Sequence, residues 1–518
     1  MHVAHLVHRS AQRYPDRPLW LNMNGSISYR DGARRINQLS NALLAVGQQG
    51  DRVAILSANR FEAYEAYLAA MNAGMAAVPL NPKSHVSDHQ YALDDSGARF
   101  VIFSPEYAEA LGSVRSEVYG AEHWIAIGGS PSGTVDYETF LASGSPNLPD
   151  ITIEPNALAW LFYTSGTTGK SKGAMETHRN LLTMVQQFRQ TLLADTDEHD
   201  VMLHLAPIAH GTASVGLAHL AAGAAQTFPL SANFDPEKVF GLIQDLKVSA
   251  SFLAPTMVQM LLQANAAHRY DLSSLKNIIY GGGPMYREVL KKAIETFGSV
   301  FSQIYGQGEA PMTCTGLHKS EHRLDDPQAF ARLSSAGREM PGVMVRVVDE
   351  EGRGVATGTP GEVVVRSDLV MPGYWNRPDA TADTLKNGWL HTGDVGYLDE
   401  RGYLFITDRI KDMIISGGAN IYPREVEEVM LQHKAVAEVC VIGVPDEQWG
   451  ESVKAVIVLQ PGQTASAEEL IAFARENMAS YKKPKSIDFV ESLPKSAFGK
   501  VLKRELRQPY WAKSTRAV

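Results

Sequence analysis

Cysteine is scarce in this chain. Two occur among 518 residues, Cys314 and Cys440, and their spacing suits no metal site. A disulfide framework is not indicated, and a reducing, cytoplasmic compartment fits. No apolar run is long and unbroken enough to span a bilayer. The most apolar stretches, 66–80 and 217–230, are interrupted by Asn72 and Pro79 and by Gln226 and Pro229, and read as buried helix-to-strand segments. The first residues lack the apolar core of a secretory signal; Ala4, Val7, His8 and Ala11 read instead as one face of a short helix ending before Pro15. Positive charge is not in excess either. Forty-eight basic residues face 57 acidic ones, a net charge of −9, which leaves no electrostatic footprint for nucleic acid. Repeats and low-complexity tracts are absent.

What remains is the composition of a globular enzyme, 44% hydrophobic and 20% charged. The length exceeds one compact core and implies two or more folding units. Helix-like patterns over 35–45 and 59–73 alternate with short strand-like runs over 51–56, 75–79, 98–103, 123–127, 250–253 and 275–280. That alternation predicts α/β layers with largely parallel sheets. Strands over 343–348, 361–366 and 402–406, separated by turn-rich segments, predict a compact antiparallel, barrel-like subdomain. Beyond Lys411 a second unit begins. Proline at 423 opens a helix, strands follow over 436–444 and 453–459, then a helix over 467–478 with Ser466 as N-cap, then a strand over 487–490. The expected division is a large domain of layered α/β subdomains, 1–410, and a small, mobile α+β domain, 411–518.

The segment with most chemistry is Tyr163-Thr164-Ser165-Gly166-Thr167-Thr168-Gly169-Lys170-Ser171-Lys172-Gly173. Glycines let a backbone approach a ligand closely. Hydroxyls, backbone N–H groups and lysines then satisfy phosphoryl oxygens. The loop is not a Walker A motif, which needs four residues between its first glycine and the Gly-Lys pair. Nor is it the dinucleotide fingerprint. A glycine-rich surface turn is the plain alternative.

The loop resembles the signature of the adenylate-forming superfamily, which includes AMP-forming acyl-CoA synthetases. Further segments extend the resemblance in family order from about residue 160 to 505: Tyr305-Gly306-Gln307-Gly308-Glu309, Gly373-Tyr374-Trp375, Trp389-Leu390-His391-Thr392-Gly393-Asp394, Asp408-Arg409-Ile410-Lys411-Asp412, Asn420 to Glu427, and Pro494-Lys495-Ser496-Ala497-Phe498-Gly499-Lys500. The N-terminal part resembles the family more diffusely.

This resemblance implies roles for particular residues. Thr164, Ser165, Gly166, Thr167, Thr168, Gly169, Lys170 and Lys172 would cradle pyrophosphate. Glu309 would be the acid associated with Mg2+. Gly281, Gly282, Gly283 and Pro284 would border adenine and the acyl channel, with Tyr305, Gly306 and Gln307 beside the adenine. Asp394 would accept from the ribose hydroxyls, near Arg409, and Lys411 would mark the hinge. Lys500 would hold carboxylate and α-phosphate together during adenylation. Gly417 and Gly418 would line the pantetheine tunnel, and His210 would stand at the substrate gate. Without that setting Lys170 and Lys411 read as solvated lysines, Tyr305 and His210 as core residues, and Lys500 as a lysine of the tail. Two departures stand out. Ser171 replaces the usual proline, and Gly308 replaces a threonine whose hydroxyl touches the α-phosphate or the substrate carboxylate.

The resemblance implies an AMP-forming carboxylic acid–CoA ligase using ATP, Mg2+ and coenzyme A. Gly211, Ala213, Ser214 and Val215 follow His210 and leave an uncharged pocket, which favours a medium-chain fatty or aromatic acid. Monomer and homodimer both fit. Loading of a carrier-protein thiol, luciferase-like oxidation and a non-catalytic nucleotide-binding regulator are the alternatives.

Overall fold

A computed structural model describes residues 1–164, 170–229, 234–417, 419–495 and 501–511. Two large sheets form its centre. The seven-stranded sheet runs in the order Val135–Asp136, His123–Ala126, Phe100–Phe103, Arg52–Leu56, Ala76–Pro79, Leu158–Thr164, Lys172–Thr177. All neighbours are parallel except the last two, which form a hairpin pairing Thr164 with Lys172. The nine-stranded sheet is parallel from Phe301–Gln307 through Asn277–Tyr280, Ala250–Leu253, Val201–Leu203 and Ala225–Thr227 to Pro18–Asn22, with antiparallel strands at both rims.

The central strands are buried along their whole length, so they read as continuous Val/Ile/Leu/Phe runs, as parallel strands covered on both faces do. Helix Phe61–Asn72 is buried from Ala63 to Asn72 because it packs against both sheets. Its Tyr64 ring meets Trp20 at 5.8 Å and His204 at 5.2 Å, while Tyr67 meets Trp160 at 5.6 Å. The helix predicted at the N-terminus spans His5–Arg13.

The predicted antiparallel subdomain is a five-stranded sheet of Met344–Val348, Gly361–Arg366, Leu385–Lys386, Trp389–Leu398 and Leu404–Arg409. The smaller C-terminal domain has its own five-stranded sheet and its own apolar core around Ile414, Val441 and Ile457. Ser466 caps helix Ala467–Asn477 by accepting from the Glu469 N–H. One element there was not anticipated, the helix Lys503–Trp511, which contains Pro509. Its Lys503 reaches Asp408 and Glu427, both at 3.3 Å. Tyr286 of the large domain donates to Glu427 at 3.0 Å. No helix among the described residues is long and apolar enough to cross a membrane.

Strands Leu158–Thr164, Asn277–Tyr280 and Phe301–Gln307 end on the same side of the two sheets. Their carboxyl ends, with strand Trp389–Leu398, enclose the candidate site, as crevices outside strand ends do in open α/β folds.

Candidate active site

At the end of the hairpin, four side chains form a closed group. Thr164 Oγ1 lies 3.3 Å from Glu309 Oε1, and Tyr374 donates to the same oxygen at 2.6 Å. Lys172 Nζ stands 4.4 Å from the centre of the Tyr374 ring, a cation–π distance. Glu309 Oε2 has no partner among the described residues. It offers the kind of hard oxygen donor that a divalent cation takes. No group of three or more metal-ligating side chains assembles among the described residues. Lys170 is engaged separately, 4.8 Å from the Tyr91 ring. Tyr91 also donates to the Ser171 carbonyl at 3.1 Å, which ties down the loop end where the usual proline is missing.

The second group surrounds Asp394, which is 5% exposed. Tyr305 and Gln307 both donate to its Oδ2 at 2.7 Å, and Arg409 Nε lies 3.1 Å from Oδ1. Burial works against the charge of Arg409, yet Asp394 holds it firmly protonated. Burial first, and then Asp394, push the Tyr305 phenol well above its ordinary range, so it remains a donor. A carboxylate fixed in this way keeps acceptor capacity for a diol. Gln307 thus acts here on Asp394, and also donates to the Thr392 carbonyl at 2.9 Å.

The glycines between these groups answer to close approach. A Cβ at Gly281 would lie 2.7 Å from the Ile304 carbonyl oxygen, and one at Gly306 would lie 2.4 Å from the Met312 N. Gly282 has φ of +78°, in the region glycine favours. Gly283 and Pro284 continue the turn after strand Asn277–Tyr280. On the opposite wall His210 precedes helix Gly211–Leu220. Its ring meets Phe162 edge-on at 5.3 Å, and burial pushes its pKa down to about 3, so the imidazole is neutral. Met312, with φ of +63°, fills the space over Gly211: a Cβ there would lie 3.0 Å from its sulfur and 3.1 Å from Phe252.

Two features of the site were not read from sequence. The hydroxyl of Tyr374 belongs to a quoted motif, but its reach to Glu309 crosses 65 positions and leaves no local signal. Glu176, on strand Lys172–Thr177, is 3% exposed, and neither carboxylate oxygen has a hydrogen-bond partner among the described residues. Burial, then the charge of Glu309, raises its acid well above the usual carboxylate range. A lone glutamate in a Met-Glu-Thr run reads as a solvated strand face.

In the small domain Gly417 has φ of +59° and donates its N–H to the Trp449 carbonyl at 2.8 Å. A Cβ on Gly417 would meet the Trp449 ring at 2.5 Å. Trp449 is 44% exposed. Lys485 lies 5.1 Å from its ring, and exposed Tyr481 follows a similar pattern with Lys482 at 5.8 Å. Lys411 is exposed on its turn. Ser165, Gly166, Thr167, Thr168, Gly169, Gly418 and Lys500 lie outside the described residues.

Comparison with known proteins gives the same outline. The family described as AMP-binding enzyme matches residues 7–375, and the AMP-binding enzyme C-terminal domain matches 425–500. The chain is 38% identical to a feruloyl-CoA synthase of Amycolatopsis sp., covering 94% of each. It is 35% identical to the medium/long-chain-fatty-acid–CoA ligase FadD8 of Mycobacterium tuberculosis, over all of this chain and 91% of that one. It is 34% identical to the fatty acid–[acyl-carrier-protein] ligase ScoC of Streptomyces coeruleorubidus, over 98% and 96%. Among solved structures, ATP-bound MatB from Rhodopseudomonas palustris superposes with a TM-score of 0.88 at 30% identity, covering 98% of this chain and 99% of that one.

Proposed function

The chain belongs to the AMP-binding enzyme family, the adenylate-forming ligases, and from that premise we propose that it is an acid–CoA ligase acting on a fatty or aromatic carboxylic acid. The general chemistry is that of an AMP-forming ligase. A carboxylate oxygen of the acid attacks the α-phosphorus of ATP and pyrophosphate leaves. The acyl carbon of the adenylate is then attacked by a thiol and AMP leaves.

The Asp394 group carries the reading. Asp394, fixed by Tyr305, Gln307 and Arg409, presents acceptors for the ribose diol. Gly281, Gly282, Gly283 and Pro284, with Gly306, border the adenine where the backbone approaches most closely. Lys172 and the loop residues that precede it are assigned to the β- and γ-phosphates, with Lys170 adding positive potential. Glu309 is the residue that would hold Mg2+, through the oxygen left open beside Tyr374 and Thr164. The cation, when bound, screens the phosphate charge. Lys500 is assigned to the carboxylate and α-phosphate. Residues 1–410 and 411–518 are taken as the two bodies, with Lys411 at their hinge.

The acid pocket is uncharged. His210 is neutral and is joined by Phe162, Phe252, Met312 and Gly211, surroundings for an apolar or aromatic tail. For the acceptor, the exposed Trp449, with Lys485 over its ring, lies beside Gly417, the residue assigned with Gly418 to pantetheine. Aromatic faces flanked by lysines suit a nucleotide, which coenzyme A carries and a carrier-protein arm does not. Free coenzyme A is therefore the proposed acceptor.

The test is pyrophosphate release and acyl-thioester formation across a panel of acids, with coenzyme A and pantetheine compared as acceptors. Thioester formation that prefers coenzyme A, and is lost in Lys500→Ala, supports the reading. Equal use of pantetheine and coenzyme A would transfer support to a carrier-protein acceptor.

A further inference from the structure

Helix Val86–Ser96 lies outside both groups of the site, yet three segments of the site converge on it. Tyr91 and Asp95 are four residues apart and share one of its faces. The Asp95 side chain is 9% exposed, and each oxygen of the residue is taken. Its Oδ1 accepts from Arg377 at 2.6 Å, its Oδ2 from the Tyr163 hydroxyl at 2.8 Å, and its backbone carbonyl from the Trp375 indole N–H at 3.0 Å. Burial, then Asp95, push the Tyr163 phenol above its ordinary range, so it remains the donor.

Tyr91 carries the same helix face to the far end of the hydroxyl-rich loop. Its oxygen lies 3.1 Å from the Ser171 carbonyl oxygen and 3.4 Å from Asp95 Oδ1, and it accepts from Arg377 at 3.0 Å. One phenol has one proton to give. Arg377 already serves Asp95 Oδ1 and a lone pair of the Tyr91 oxygen, so the Tyr91 proton goes to the nearer acceptor, the Ser171 carbonyl. Thr164 and Lys172 are the closing pair of the hairpin register. Tyr163 precedes the first of them and Ser171 precedes the second. The helix therefore holds both ends of the loop, Tyr163 through Asp95 and Ser171 through Tyr91. The Trp375 N–H also donates to the Gly173 carbonyl at 2.8 Å, which ties the residue after Lys172 to the same assembly.

We propose that Tyr91 and Asp95 are positioning residues for the phosphate-binding loop. They act through the Ser171 carbonyl and the Tyr163 hydroxyl, not on the nucleotide itself. They fix where the chain enters and leaves the loop, and with that where the ammonium groups of Lys170 and Lys172 stand. The proposal rests on the adenylation reading above and deepens it, because the support of the loop comes from a helix that carries none of the site residues.

Wild type, Tyr91→Phe, Tyr163→Phe and Asp95→Asn test it. Calorimetric binding of ATP and of AMP separates the β- and γ-phosphates from the rest of the nucleotide. Acid-dependent exchange of pyrophosphate into ATP reads adenylation, and thermal unfolding reads the fold. Tyr91→Phe keeps the ring beside Lys170 and every charge, and removes only the hydroxyl. Its dissociation constant for ATP and its KM for pyrophosphate are expected to rise about fivefold, the order of one net hydrogen bond, with AMP binding unchanged. Tyr163→Phe gives the same pattern from the other end of the loop. Asp95→Asn loosens both ends and leaves Arg377 without its carboxylate, so the rise is about tenfold or more, again in ATP and not in AMP.

Wild-type ATP affinity in a folded Asp95→Asn overturns the proposal. So does an equal loss of ATP and AMP affinity in Tyr91→Phe, which is what a purely structural defect produces. If Asp95→Asn does not fold, Tyr91→Phe decides alone. If wild type exchanges no pyrophosphate with any acid, the adenylation reading fails, and the ATP and AMP affinities still decide the proposal. A wild type that binds neither nucleotide overturns both.

Discussion

Tyr374 donates its hydroxyl to Glu309 at 2.6 Å while the same ring lies 4.4 Å beneath the ammonium of Lys172. One side chain therefore sets the position of both an acid and a cation, drawn from two different sheets. Its own strand neighbourhood explains the placement. Tyr374 bridges to Ala174 on the hairpin, and the Met371 N–H donates to the Glu309 carbonyl at 2.9 Å.

Removing the two functions of Tyr374 separately gives the first prediction. Tyr374→Phe keeps the ring and loses a hydrogen bond to a charged group, worth about 1.5–3 kcal/mol. Pyrophosphate exchange should fall by about tenfold or more, and half-saturation by Mg2+ should move to higher concentration. Tyr374→Leu also removes the ring under Lys172, a further ~0.5–1 kcal/mol, visible as a higher KM for ATP. Identical kinetics for the two variants would show that the ring contributes nothing.

Glu176 gives the second. A buried carboxyl without partners costs about 1–3 kcal/mol, so Glu176→Leu should be more stable than wild type. The effect has a sign in pH. Burial raises the folded-state pKa of Glu176 above that of the unfolded chain. Above the ordinary carboxylate pKa the unfolded chain releases its proton while the folded protein retains it, so wild type loses stability as pH rises through that window. Urea unfolding of both proteins at about pH 5 and about pH 8 should show the gap between them widening. A gap that does not change with pH would mean that Glu176 finds a partner in solution.

Much of this site was legible because its residues sit in segments that carry their own signal. Asp394 ends a His-Thr-Gly run, Glu309 follows a strand end, and Lys172 closes a hydroxyl-rich loop. The alternation of short apolar runs with helical periods also led to layered α/β sheets with a separate small domain. What was illegible depends on contacts far apart in sequence. Strand Lys172–Thr177 reads as a short polar stretch until Leu158–Thr164 pairs with it. Helix Lys503–Trp511 is hidden by Pro509 and by its charge, and forms where Lys503 meets Asp408 and Glu427. Gly308 reads as a missing donor, and only the fold shows that a Cβ there would lie 2.4 Å from the Thr164 methyl.

The third prediction concerns acid stability. Burial, the leading cause in each case, pushes His178, His204 and His210 down to about 3, and His219 and His322 to about 4. In the unfolded chain these rings protonate near 6.5. As pH falls below that value the unfolded state binds protons that the folded state refuses. Stability is complete above about pH 6.5 and is lost toward the folded pKa values, by up to about 1.4 kcal/mol per pH unit for each ring. Denaturant midpoints should therefore drop steeply between about pH 7 and about pH 5. Because His210 stays neutral throughout, kcat/KM should carry no inflection near 6.5 that His210→Asn removes.

Met312 gives the fourth. It is a non-glycine residue with φ of +63° within strand Ala310–Leu317, an arrangement that costs about 1–3 kcal/mol and persists only where neighbours enforce it. Its sulfur and methyl take the space that a Cβ at Gly211, beside His210, would need, and its backbone takes that space at Gly306, beside Tyr305. The side chain therefore joins the wall proposed for the acid to the strand that carries the residues assigned to the nucleotide. Met312→Gly accepts the φ without strain and empties the space over Gly211. The acid preference should move toward longer or bulkier chains, with kcat/KM for the best small acid reduced by about tenfold, the scale of one or two lost methylene contacts. Met312→Leu keeps the bulk and the strain, and should keep the wild-type order of acids. An unchanged order in Met312→Gly would place the acyl chain elsewhere, and would separate the strain at 312 from substrate selection.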